Sequence, residues 1–352
     1  MNTGLSDYVN EDLGRWSDLL FGTAIGIYVV AMLLFLTALA GARGRALPET
    51  AAEKELVAAG AGSAARGRST ALGDRTPGRV AGPQAKRPLG DRLSAMAYPV
   101  VWVGFAAHVA SIVVRGIATD RAPWGNMYEF ISLTCAACML AALFFLRKPA
   151  QRPLLGIVLI PVALLMFIAG KWLYATAAPV VPALKSYWLL IHVSIISTGS
   201  GVLLVSGVAS ILYLIKVRWG ATAAAHEAED ETATGFSPAV IGRRIVDHLP
   251  SADSLDRLAY KCVVVGFPLF GLGIVFGAIW AESSWGRFWG WDPKETVSFI
   301  AWIIFAAYLH ARATAGWRNA AAWVNVAGFV ALMFNLFAIN LVVSGLHSYA
   351  GL

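Results

Sequence analysis

The chain has 352 residues, 58% of them hydrophobic and 14% charged, with a net charge of +7 and a mean hydropathy of +0.64. Soluble domains carry roughly 25% charged residues, so the composition excludes an ordinary soluble domain. It indicates a polytopic, all-α membrane helix bundle. The positive balance follows from membrane topology and does not point to nucleic acid.

A helix needs about 20 residues to cross a bilayer core, and eight apolar runs have that length. They span roughly 18–41, 96–117, 127–146, 153–175, 187–215, 259–282, 296–315 and 320–344. The first run, Leu19 to Ala40, is too long for the apolar core of a cleavable signal and follows acidic residues, so no cleaved leader is expected. With the N-terminus outside, the cytosolic segments hold twenty of the 28 basic residues, ten of them in 42–95. The positive-inside rule then sets both termini on the outer face. Segment 42–95 is rich in Ala, Gly, Arg and Pro without an apolar period and reads as a disordered cytosolic linker. Segment 216–258 reads as a second cytosolic linker, and its His226 and His248 as solvated side chains.

The remaining histidines fall at membrane depth or its edge, where an ionisable side chain is costly and raises a functional hypothesis. His108 lies near the middle of span two. His192, in "YWLLIHV", sits about 9 Å into span five from the outer side. His310 follows Asp292 by eighteen residues, about 27 Å down span seven and near the cytosolic side. His347 lies just past span eight, after Gly345, which reads as a C-terminal cap. Between spans six and seven stands "WGRFWGWDPKET", residues 285–296, with three tryptophans, a phenylalanine and four charged side chains in an external loop taken as 283–296. Part of it is a helix start: Asp292 as N-cap, Pro293 at N1 and Glu295 reaching back. Asn126 to Glu129 repeats that pattern at the head of span three. Capping accounts for Asp292 and Glu295 but not for three tryptophans.

Two readings stand for the outer histidines. Each imidazole can serve a helix–helix hydrogen bond, or His192 and His347 can face each other across a flat apolar cleft as axial ligands of haem iron. In the second, Trp285, Phe288, Trp289 and Trp291 wall in the porphyrin, while Arg287 and Lys294 pair with its propionates. Cys135-Ala-Ala-Cys138 is no haem attachment site, since Met139 stands where histidine is needed. Cys262 is isolated, so no disulfide framework is expected.

The tryptophan loop with its WDPKET ending resembles the WWD signature of the CcsA/ResC family (CcsB in some bacteria), haem-handling membrane proteins of system II cytochrome c biogenesis. The segments "PWGNMYEF" at 123–130 and "YWLLIHV" at 187–193 extend the resemblance over spans two to eight. It implies that His192 and His347 ligate an outer-face haem b, bound as substrate, and that His310 ligates haem arriving from the cytosolic side. It further implies that Trp285, Gly286, Trp289, Trp291 and Asp292 hold the porphyrin; His108 matches no ligand position. His310 then lacks a second ligand within this chain, which implies a complex with a ResB/Ccs1-type membrane subunit. The expected activity is that of a cytochrome c haem lyase in the bacterial cytoplasmic membrane. Its other partners would be apocytochrome c and a thioredoxin-like reductant. The alternative is a haem exporter or chaperone without ligase activity. A solute transporter whose tryptophans form an interfacial belt would instead show broken helices and polar sites at the midplane.

Overall fold

The computed structural model describes residues 9–40, 89–180, 182–226, 246, 249–343 and 345–347. These form eight long helices: α1 (Glu11–Ala40), α2 (Leu89–Thr119), α3 (Met127–Phe145), α4 (Leu154–Trp172), α5 (Tyr187–His226), α6 (Ala252–Trp285), α7 (Pro293–Ala313) and α8 (Arg318–Leu341). Among the described residues there is no strand, and each helix contains a stretch long and apolar enough to cross a membrane. The chain is a multi-pass membrane protein.

Several helices run past the spans read from hydropathy, because charged and small residues extend a helix beyond the apolar core without breaking it. Helix α6 starts at Ala252, where buried Asp256 pairs with Arg312 of α7, and ends at Trp285. The 283–296 segment is therefore helical at both ends, and its connecting piece is 286–292. Helix α2 begins at Leu89 and α5 reaches His226, so both linkers are shorter than expected. The rest of the first linker, residues 42–88, lies outside the described residues, as do 227–245, 247 and His248 of the second.

Successive helices alternate in direction. At one end of the bundle, Asn10 N donates to Ala118 O, Tyr174 donates to Asp18, and Trp124 Nε1 donates to Ser194. At the other end, Tyr213 donates to Asn319, Arg312 grips Asp256, and Arg318 pairs with Asp253. Close helix approach depends on small residues: a Cβ on Gly199 would meet Phe270 N at 2.7 Å, and one on Gly201 would meet Cys138 N at 2.6 Å. The largest apolar core is built mainly from α1 to α5 around Tyr28, Phe35, Ile131 and Leu159, with Leu255 and Cys262 of α6 and Leu336 of α8 joining it. A smaller core around Phe270 and Phe305 joins α5 to α8. A third, with Leu189, Val193 and Trp280 at its centre, lies at the histidine end and forms the base of the site.

Candidate functional site

The site begins with a buried charge. The Glu129 side chain is fully buried on the first turn of α3 and the Arg115 side chain is 3% exposed, so each charge requires partners. Glu129 accepts from Arg115 Nε at 2.7 Å, from Arg121 Nη1 at 2.9 Å and from Gly125 N at 2.7 Å. Arg115 also reaches Asp18 and the Ala175 carbonyl and stacks over Tyr128. Asn126 caps α3 as the sequence indicated, accepting from Glu129 N. Glu129, however, binds the amide of Gly125 rather than that of Asn126, because two arginines hold its carboxylate. This knot fixes the Trp124–Asn126 segment as one wall of a cleft.

His192 forms the next wall. Its Nδ1–H donates to the Gly273 carbonyl of α6 at 2.7 Å, which puts the lone pair on Nε2. Its ring lies flat on Trp280, 6.1 Å between centroids and 9° between planes. Gly277 leaves room for that ring, since a Cβ there would come within 2.7 Å of His192 Cε1. Trp280 is almost wholly buried and also meets His347, edge to face, at 5.9 Å. One tryptophan thus touches both histidines, and Trp285 beside it meets His347 at 5.2 Å.

Asp292 organises the third wall. It caps α7 with the capping box read from the sequence, and Glu295 Oε2 reciprocates by accepting from the Asp292 and Gly290 amides. The same Asp292 carboxylate accepts from His347 Nδ1–H at 2.8 Å and from Leu346 N at 2.7 Å. Gly345 is no helix cap, since α8 ends at Leu341; it lies against Asp292, where a Cβ would come within 2.7 Å of Oδ1. Burial works to raise the Asp292 pKa, but the hydrogen bonds from Leu346 and His347 outweigh it and hold the carboxyl below its ordinary range. Burial, with the nearby Lys294 charge, holds His347 below the usual imidazole range against the pull of Asp292. His347 is therefore neutral near pH 7, with its Nδ1 proton fixed on a carboxylate.

These walls enclose a partly open cleft, with about 1390 Å³ of empty space when its open mouth is counted. His192, His347, Trp289, Phe288 and Lys294 all line it. Gly286 takes a left-handed conformation (φ 70°) as the C-cap of α6 and turns the chain out of the helix. The other residues singled out in the sequence are placed differently. Arg287 is exposed beside the backbone of Gly290 and does not line the cleft. Trp291 has a left-handed backbone (φ 57°), which a bulky residue adopts only under constraint. Its ring is 68% exposed and meets Trp289 edge-on at 5.8 Å. His310 is exposed near the far end of α7, apart from the cleft. His108 is buried between Tyr28 and Ser132, its Nε2 3.1 Å from the serine hydroxyl, in a structural role. Cys135, Cys138 and Cys262 are buried free thiols. Trp280, Gly277, Asn335 and Asn340 went unremarked in the sequence; the one local signal was that Trp280 stands in the same final helical stretch as Trp285.

The fold and the cleft define a polytopic helical membrane protein that carries two tethered, neutral-type imidazoles beneath a tryptophan-rich connection. The profile of the family described as "Cytochrome C assembly protein" matches residues 124–347, from the cleft wall of Trp124 to His347 itself. The chain is similar to the cytochrome c biogenesis protein CcsA of Gloeobacter violaceus, 36% identical over 279 residues, covering 68% of this chain and 82% of that protein. The CcsA protein of Guillardia theta is 31% identical over 265 residues, covering 72% of this chain and 87% of its own length. That of Porphyra purpurea is 34% identical over 287 residues, covering 74% and 88%. The chain belongs to the cytochrome c assembly protein family, and its role lies in cytochrome c maturation.

Proposed function

We propose that the cleft holds haem as a substrate, with His192 and His347 as its axial ligands, and presents it to apocytochrome c for covalent attachment. The observation that carries this reading is the pair of tethers. Each histidine commits Nδ1–H to a fixed acceptor, a backbone carbonyl for one and a carboxylate for the other. Such partners fix the tautomer and turn Nε2 toward a metal. The residues fit the group: flat aromatic walls from Trp124, Trp280 and Trp289, two imidazoles, one of them packed against Trp285, and a single lysine. Gly286 and Asp292 set the course of the connection, and Trp291 and Arg287 border it from outside.

In this reading both termini and the cleft face outward, and the complex acts as a cytochrome c haem lyase. Haem b arrives from the cytosolic side at His310, whose exposure on α7 suits a second ligand supplied by a ResB/Ccs1-type subunit. At the cleft, the histidine of an apocytochrome Cys-x-x-Cys-His segment replaces one axial ligand. Each thiol then adds across a haem vinyl group: sulfur bonds to the carbon next to the ring and the thiol proton ends on the terminal carbon. The addition is redox-neutral, so the thiols must arrive reduced, which calls for a thioredoxin-like reductant outside. The protein's own contribution is to position the reactants, exclude water and hold the iron through two imidazoles.

The test is the visible spectrum of the chain purified with its membrane partner from haem-replete cells, beside His192→Ala and His347→Ala. A bis-histidine spectrum in the parent, weakened or shifted in both variants, is expected. Haem unchanged by both substitutions would move the pigment to His310 and sink the assignment. Thioether formation by the purified complex separates a lyase from a haem exporter that uses the same site.

A further inference from the structure

The cleft has a polar floor that the ligand histidines do not use. Lys294 Nζ, in the first turn of α7, donates to Asn340 Oδ1 at 2.5 Å and lies 5.7 Å over the Phe130 ring. Among the described residues no carboxylate forms an ion pair with it within 4.0 Å. The nearest carboxylates in sequence are already engaged: Asp292 by Leu346 and His347, Glu295 by the amides of Gly290 and Asp292. An ammonium group in an apolar cleft at the membrane edge is costly without a counter-charge. Beside it, Asn335 Nδ2 donates to Ser298 Oγ at 2.7 Å, while its Oδ1 is buried without a partner. Asn335 is only 8% exposed, and it lines the cleft together with Lys294, Ser298 and Asn340. The amide can be turned over: the Ser298 hydroxyl then donates to Oδ1, and Nδ2 becomes a donor facing the cleft.

We infer that this floor is a carboxylate subsite. Lys294 and Asn335 take a propionate of the bound haem, so the acidic edge of the macrocycle points inward, and Arg287, outside the cleft, takes no part. The opposite edge, which carries the vinyl groups in protoporphyrin IX, then faces the mouth bordered by Phe288 and Trp289. This orientation rests on the haem reading above and adds which way the ring is turned. It also explains why a cation is retained where no described carboxylate pairs with it within 4.0 Å.

The experiment titrates the full chain, purified with its membrane partner in detergent, with iron protoporphyrin IX and separately with its dimethyl ester, following the Soret band. The parent should bind the diacid at least about tenfold more tightly, as expected for one lost charge-assisted pair. Lys294→Gln should remove most of that preference by weakening the diacid while leaving the ester within about threefold, and Asn335→Ala should remove a smaller share. Equal affinity of the parent for both porphyrins, or a preference that survives Lys294→Gln, overturns the inference while the haem reading stands. Failure to bind either porphyrin overturns both. The parent comparison needs no substitution, so a variant that fails to fold does not blunt the test.

Discussion

Two buried cations in this molecule meet opposite fates. Arg115 lies in a knot where Glu129, Asp18 and a backbone carbonyl satisfy its guanidinium, and Glu129 in turn holds Arg121 and Gly125. Lys294 has one amide oxygen and an aromatic face. The first arrangement is complete within the chain and locks α1, α2 and α3 together. The second is incomplete and faces a cleft. Buried charge that is fully paired serves architecture; buried charge left short of a partner raises a functional hypothesis.

The strongest way to break this contrast is Glu129→Ala, which strands two arginines. We expect a loss of about 3–5 kcal/mol, read as a lowered midpoint of thermal unfolding in detergent, whereas Lys294→Met should leave the ligand-free midpoint unchanged or higher. A fall of equal size in both would dissolve the distinction. Next comes Gly277→Ala, whose methyl must displace the His192 ring or the helix. Overpacking of this kind costs about 1–3 kcal/mol, and the bis-histidine spectrum should be lost even where the variant stays folded. Asp292→Asn is subtler. Asparagine caps a helix about as well as aspartate, so unfolding should shift little, while haem affinity falls about 10–100-fold as His347 loses its charged orienting partner. An unaltered affinity would show that capping is all Asp292 does. The smallest effect is expected from His310→Ala: stability within about 0.5 kcal/mol and an unchanged spectrum for haem already seated in the cleft.

The bundle was legible in the sequence because length and hydropathy dictate spans almost regardless of tertiary context. Span ends were less so, since helices such as α6 continue on charged residues that pair only across the fold, as Asp256 does with Arg312. The capping box at Asp292 was readable because it is a local code. Its second duty to His347 was not, because that bond closes over 55 positions of chain. For the same reason the sequence placed Arg287 and Lys294 together as propionate partners, although the first turn of α7 carries one inward and the connection leaves the other outside. Trp280 and Gly277 matter through what lies against them on α5, which no periodicity along α6 reveals.

The charge knot has a consequence for descent as well as for stability. Glu129 lies inside the stretch that defines the family, 124–347, whereas Arg115, Arg121 and Asp18 lie before it. The first two helices thus meet the matched stretch through that carboxylate as well as through the apolar core. A lineage that loses the acid at 129 has two orphaned arginines to replace. These positions should change hands together, and their joint history should be visible when relatives are compared.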